Sequence, residues 1–153
     1  MRTACGAGGR AVIQMKLITS FEPDEELDDE ITQKTRDHNA QFTPNDYKPL
    51  SIYVKDDGGK LIGGMTAFLS WNYLEIKYLW VDEVHRGQGL AAQIMQAGEE
   101  AALNNNCEYA LVDTFEFQAL DFYLKQGYRQ VAELDGYLGK YKRYYLQKKL
   151  GPV

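Results

Sequence analysis

The stretch from Leu74 to Asn104 constrains this chain more than any other. It opens as an apolar, β-rich run from Leu74 to Val81, crosses a short polar turn and continues as an amphipathic helix. At the junction stands Arg86-Gly87-Gln88-Gly89-Leu90-Ala91. Glycines at a strand-to-helix turn allow positive φ and close backbone approach. Successive N–H groups can then converge on an anion, aided by the positive end of the helix dipole. The residues alone therefore predict a phosphate-holding turn.

Two common phosphate motifs do not fit. A Walker A loop needs Gly-Lys-Ser/Thr, and no lysine follows Gly89. A dinucleotide fingerprint belongs on an early strand with an acidic residue about 20 positions later. That count reaches Glu108 and Tyr109, but the turn comes late, after a run of strands.

The remaining chain supplies the frame. Residues 1–10 (MRTACGAGGR) are small and Gly-rich, which predicts a mobile extension. Residues 11–150 then read as a single domain, a length that supports a sizeable core. Ala11 to Thr19 alternates as a first strand, with Ile13, Met15 and Leu17 on one face. A helix follows from Pro23 to about Asn39, with Leu27 and Ile31 as its buried stripe and an acidic first half. That acid is either complementarity to the helix dipole or a lip attracting a cation.

A hairpin, Ser51 to Lys55 and Lys60 to Ser70, surrounds Asp56-Asp57-Gly58-Gly59. With the run ending at Val81 it makes an antiparallel meander. The helix after the turn ends in Asn104-Asn105-Asn106, and Glu108 to Thr114 reads as a buried parallel strand. A short helix (Phe117 to Gln126) closed by Gly127 and two strands (Tyr128 to Leu134, Tyr141 to Lys149) complete the order.

A net charge of −5 argues against a nucleic-acid surface and fits a cationic small molecule or basic peptide. Two cysteines make no disulfide framework, and the absence of a membrane-length apolar run predicts a cytoplasmic protein without a membrane partner. No Cys/His spacing suggests a metal.

The turn, with Arg-x-x-Gly-x-Ala after a strand ending in valine, resembles motif A of the GNAT superfamily, the acyl-CoA-dependent N-acyltransferases. The element order matches too. Ala119 to Tyr128 (ALDFYLKQGY) is similar to the family's second motif, and the run from Asp113 to Tyr128 looks like a small bacterial subgroup. The resemblance implies an α/β fold with a mixed, mostly antiparallel sheet of about seven strands and flanking helices. It implies transfer of an acetyl group from acetyl-CoA to a primary amine of a small cationic molecule or peptide, by direct attack in a ternary complex.

By the same resemblance, Arg86, Gly87, Gln88, Gly89, Leu90 and Ala91 hold the pyrophosphate, and Leu79, Trp80 and Val81 pair with the pantetheine arm. Glu116 stands where many members place an asparagine that contacts the cofactor, a departure from the family pattern. Tyr123 matches the tyrosine that protonates the departing thiolate; its alternative is an ordinary core tyrosine. Glu75 is the candidate base, and its alternative is a solvated strand-end carboxylate paired with Lys77. Phe42, Asp46, Tyr47 and Tyr137 are candidate acceptor contacts, whereas His38 and His85 read as exposed polar residues. A non-catalytic CoA- or phosphate-binding module and an acetylating toxin acting on charged tRNA are the alternative functions. The −5 charge disfavours the second of these. Oligomeric state is open between monomer and homodimer.

Overall fold

A computed structural model describes residues 13–151. The expected mobile extension, with Ala11 and Val12 of the expected first strand, lies outside them. The chain divides into two compact units at His38/Asn39. In the first, residues 13–19 form no strand and are exposed throughout. Alternation assigns faces to a strand, but a ladder needs a hydrogen-bonded partner, and this segment pairs with none of the described strands. The first helix, α1 (Glu25–Asn39), starts two residues past Pro23. The Asp24 carboxylate accepts from the Glu26 and Leu27 amides there, as an N-cap does. No residue of α1 is buried: the expected stripe is exposed, Leu27 at 57% and Ile31 at 66%. Helical spacing is a property of the sequence alone, whereas burial needs a surface to cover the stripe.

The second unit is a six-stranded sheet with two flanking helices. Its elements are β1 (Lys48–Lys55), β2 (Leu61–Ser70), β3 (Tyr73–Val81), α2 (Leu90–Leu103), β4 (Tyr109–Phe115), α3 (Leu120–Lys125), β5 (Arg129–Tyr137) and β6 (Tyr141–Lys149). Strand order is β1-β2-β3-β4-β6-β5; only β3 and β4 run parallel. The expected meander is β1-β2-β3. Its first turn forms because the Asp56 carboxylate accepts from the Gly58 and Lys60 amides while Gly59 takes φ 86°.

The core lies between the sheet and its helices. Met65, Ala67 and Leu69 of β2, Leu74 and Ile76 of β3, Ala110 and Val112 of β4, and Leu146 of β6 pack with Ile94, Met95 and Ala102 of α2. A methyl group on Gly98 would stand 2.8 Å from the Met65 sulfur, so this glycine sets how closely α2 lies on β2. α2 ends as the asparagine run predicts, with Asn106 at φ 66°. Across the core, the Lys148 ammonium (2.7 Å) and the Tyr128 hydroxyl (2.9 Å) both donate to Glu99, tying β6 and the start of β5 to α2.

One irregularity decides where a ligand can enter. Thr66 faces Tyr78 but Ala67 faces Ile76, so Lys77 is an extra residue in β3. Such a bulge bends the strand and shifts its inward phase by one. Leu74 and Ile76 point inward before it, Val81 after it. Parallel pairing with β4 extends only from Tyr73/Tyr109 to Glu75/Leu111. Beyond that the two strands splay.

Close backbone contact between β1 and β2 gives a direct test of the meander. A Cβ built on Gly64 would lie 2.6 Å from the Ile52 carbonyl oxygen, a backbone atom that cannot step aside. Gly64→Ala should therefore cost about 1–3 kcal/mol, as overpacking does. It should be read as a lower urea midpoint at unchanged m-value. An unchanged midpoint would contradict this packing.

Candidate active site

The splay between β3 and β4 opens a cleft of about 650 Å³. β3 contributes Glu75 to Leu79, β4 contributes Leu111 to Phe115, and Phe68, Tyr123, Arg143 and Tyr145 help to close it. Odd-numbered residues of β4 face the cleft side, even-numbered ones the core. The register sets Glu75 beside Phe68 and Leu111, and Asp113 beside Tyr145. Two carboxylates and a row of aromatic rings thus share one sheet face.

Backbone direction explains what β3 offers to a ligand. The Asp82 amide donates to the Ile62 carbonyl, so Asp82 turns its polar groups toward β2. Alternation then turns those of Val81 and Leu79 the other way, into the splay. The Val81 carbonyl confirms this direction, since it accepts from Arg86 Nε at 3.0 Å.

At the end of β3, Glu83–His85 makes one 3-10 turn and the chain enters α2 through Gly87 (φ 78°) and Gly89 (φ 80°). Gly89 caps α2 without a side chain. The first-turn amides of Leu90, Ala91 and Ala92 have no intrahelical partner and stay available to an anion. The space around Gly87 and Gly89 is open to at least 4 Å from a Cβ, leaving room for one.

Tyr123 is buried on α3 and lines the cleft. Burial first, then the negative charge of Asp113, push its phenol up to about 12. It is therefore a neutral hydrogen-bond donor at every physiological pH. Burial also raises the Glu75 carboxyl above its usual range, with Lys77 opposing. Lys77 makes no close ion pair with Glu75; its ammonium sits 5.1 Å over the Phe68 ring.

Other sequence candidates fall in different places. Leu79 lines the cleft, while Trp80 and Val81 continue β3 beyond it. Tyr47 stacks on Phe68 at 4.9 Å and so supports one wall. Tyr137 accepts from Arg143 at 3.1 Å and stands behind that side chain. Asp46 is outside the lining, where it caps the β2–β3 turn by accepting from the Trp71 amide. Phe42 is exposed and also outside the lining. The Glu116 carboxylate accepts from the Lys142 amide at 3.0 Å, which occupies it with β6. His85, expected to be exposed, is half-buried: its Nδ1 makes no hydrogen bond although an Asp82 carboxylate oxygen lies 3.4 Å away. Asp113, Phe115, Arg143 and Tyr145 were not foreseen. The only sequence signal for them is the alternation along β4 and β6, and β6 is too polar on both faces to show which side is lined. Among the described residues no group of three or more His, Cys, Asp or Glu could hold a metal ion.

The model of the acetyltransferase (GNAT) family matches residues 15–128. The chain belongs to the GNAT acetyltransferase family and is an N-acetyltransferase. A blasticidin-S acetyltransferase of Streptomyces morookaense is 34% identical over 94 residues, 59% of this chain and 69% of that one. A crystal structure of an acetyltransferase from Bacillus cereus matches with TM-score 0.75 at 28% identity, covering 88% of this chain and 97% of its own. One from Agrobacterium tumefaciens reaches TM-score 0.82 at 27% identity, covering 88% and 99%.

The raised Glu75 carboxyl has a consequence for stability. A carboxyl with a higher pKa folded than unfolded favours the fold when protonated, and that contribution is lost as pH rises past the unfolded value. Glu75→Gln should therefore melt higher than wild type at pH 7, with the gap closing below about pH 4. A lower melting temperature for the variant at neutral pH would show that the charged carboxylate is instead stabilised in the fold.

Proposed function

We propose that the chain transfers an acetyl group from acetyl-CoA to a primary amine of a small cationic acceptor, by direct attack in a ternary complex. The observation that carries this reading is the cleft itself, where a neutral buried phenol and a carboxylate of raised pKa meet at the splay of β3 and β4. The relative named for blasticidin S supports a small-molecule acceptor.

In this scheme the diphosphate rests on the amides from Gly87 to Ala91. The pantetheine arm adds to β3 as an extra strand, accepting from the Leu79 and Val81 amides. The thioester then lies in the splay between Glu75 and Tyr123.

An alkyl ammonium has a pKa near about 10.4 and must lose a proton to become a nucleophile. Glu75, directly or through water, accepts it. The amine nitrogen attacks the acetyl carbon, the C–S bond breaks, and the electron pair leaves on sulfur. Counted from the ammonium, two protons leave nitrogen, one to Glu75 before attack and one as the amide forms. One proton reaches the departing thiolate, so the products are the amide, the thiol of coenzyme A and one proton released to water.

Tyr123 serves the departing sulfur. A simple thiol has a pKa of about 8.5, well below the value near 12 to which this phenol is pushed. Complete transfer from phenol to thiolate is therefore uphill, and the hydroxyl acts mainly as a fixed hydrogen-bond donor to the charge growing on sulfur. Such donors act where the charge develops and need no reorganisation.

Tyr123→Phe should lower kcat about 10²-fold, in the range for losing one such donor, with acetyl-CoA affinity nearly unchanged because the ring still packs. Wild-type kcat should show no falling limb from this phenol between about pH 7 and 10. Steady-state kinetics with thiol detection over an amine panel measures both. A loss under about threefold would remove Tyr123 from the chemistry.

A further inference from the structure

The cleft that Tyr123 lines also holds a charged group that the scheme so far does not use. Arg143 is held on three sides by aromatic rings, with its guanidinium 5.1 Å from Tyr145, 5.6 Å from Phe115 and 5.9 Å from Tyr137. It donates to the Tyr137 hydroxyl at 3.1 Å. Its Nε (2.8 Å) and Nη2 (2.7 Å) converge on a single oxygen, Oδ2 of Asp113.

This is not the two-oxygen fork that arginine and a carboxylate usually form. Among the described residues nothing hydrogen-bonds the other oxygen, Oδ1. Asp113 is about a quarter exposed and lines the cleft. Its charge reaches Tyr123, so it stands near the reacting end of the cleft. A carboxylate fixed by one oxygen and open at the other is preorganised to accept from a cation, because immobilising it costs nothing on binding. Phe68, Phe115 and Tyr145 add ring surface, which attracts ammonium groups.

We propose that Asp113 is the acceptor anchor, its Oδ1 receiving an ammonium group of a cationic amine in the cleft, with Arg143 as the positioning residue. The proposal rests on the acetyl-transfer reading and names the group that recognises the acceptor.

The probe is benzylammonium, with benzyl alcohol as its neutral counterpart, titrated into the full chain saturated with coenzyme A. The side-chain carboxyl carbon of Asp113 is followed by NMR. Its resonance should shift saturably with benzylammonium, and benzyl alcohol should bind about tenfold or more weakly, the worth of a hydrogen bond to a charged group. Asp113→Asn should lose about tenfold in affinity for benzylammonium. Arg143→Met should bind it at least as tightly as wild type, because removing a full positive charge beside the carboxylate strengthens its attraction for a cation by more than the lost positioning weakens it.

These opposite responses separate an anchor from a purely structural ion pair, for which both variants would weaken together. Equal affinity in wild type and Asp113→Asn, no saturation by about 50 mM, or tighter binding of benzoate than of benzylammonium would each overturn the proposal. If Asp113→Asn does not fold, the Arg143→Met titration decides. Failure of coenzyme A to raise the melting temperature of the wild type would instead overturn the acetyl-transfer reading.

Discussion

One surplus residue in β3 governs the architecture of the site. Without Lys77 opposite the Thr66/Ala67 step, β3 and β4 would continue as a parallel ladder and satisfy each other's amides. With it, β3 bends away after Glu75, and the polar groups of Leu79 and Val81 face open space in place of a neighbouring strand. The cost of unpaired backbone makes such a gap unfavourable when buried dry. An extended ligand that accepts hydrogen bonds would remove that cost, which is why the proposed scheme seats the acyl carrier there.

The same bulge determines which side chains meet there. By shifting phase it keeps Leu74, Ile76 and Val81 all in the core while Glu75 stays on the cleft face. β4 and β6 bring Asp113, Phe115, Arg143 and Tyr145 to that face through an unbroken antiparallel register. α3, fixed through the edge contact of Tyr123 on Tyr128 and the bond of Tyr128 to Glu99, sets the phenol at the edge of the splay. Gap and walls therefore come from different parts: the parallel pair makes the gap, and the antiparallel pair furnishes its walls.

Much of this was legible in the chain, and the exceptions have physical causes. The hairpin at Asp56-Asp57-Gly58-Gly59, the glycine turn at 86–91 and the β6 boundaries depend on local chemistry, and local chemistry is written in local sequence. Tyr123 and Glu75 were readable as site candidates because they sit at fixed offsets from that turn and from Gly127. The Asp113–Arg143 pair was not, since its members are 30 residues apart and only the register of β4 on β6 brings them together. Glu116 shows a different case: its spacing from Tyr123 marks it as a departure from the family pattern, and only the fold shows that one of its oxygens accepts from the Lys142 amide. Leu27 and Ile31 show that helical period predicts an apolar stripe and not what covers it.

The central claim, that the splayed edge of β3 receives the acyl carrier as an added strand, is tested most directly by amide hydrogen exchange with and without coenzyme A. The Leu79 and Val81 amides should slow markedly on binding, together with those of the turn from Gly87 to Ala91. Trp80, whose polar groups already face β2, should change little. Slowing confined to the turn, with Leu79 and Val81 unaltered, would contradict the account and leave the diphosphate as the only part of the carrier held as proposed.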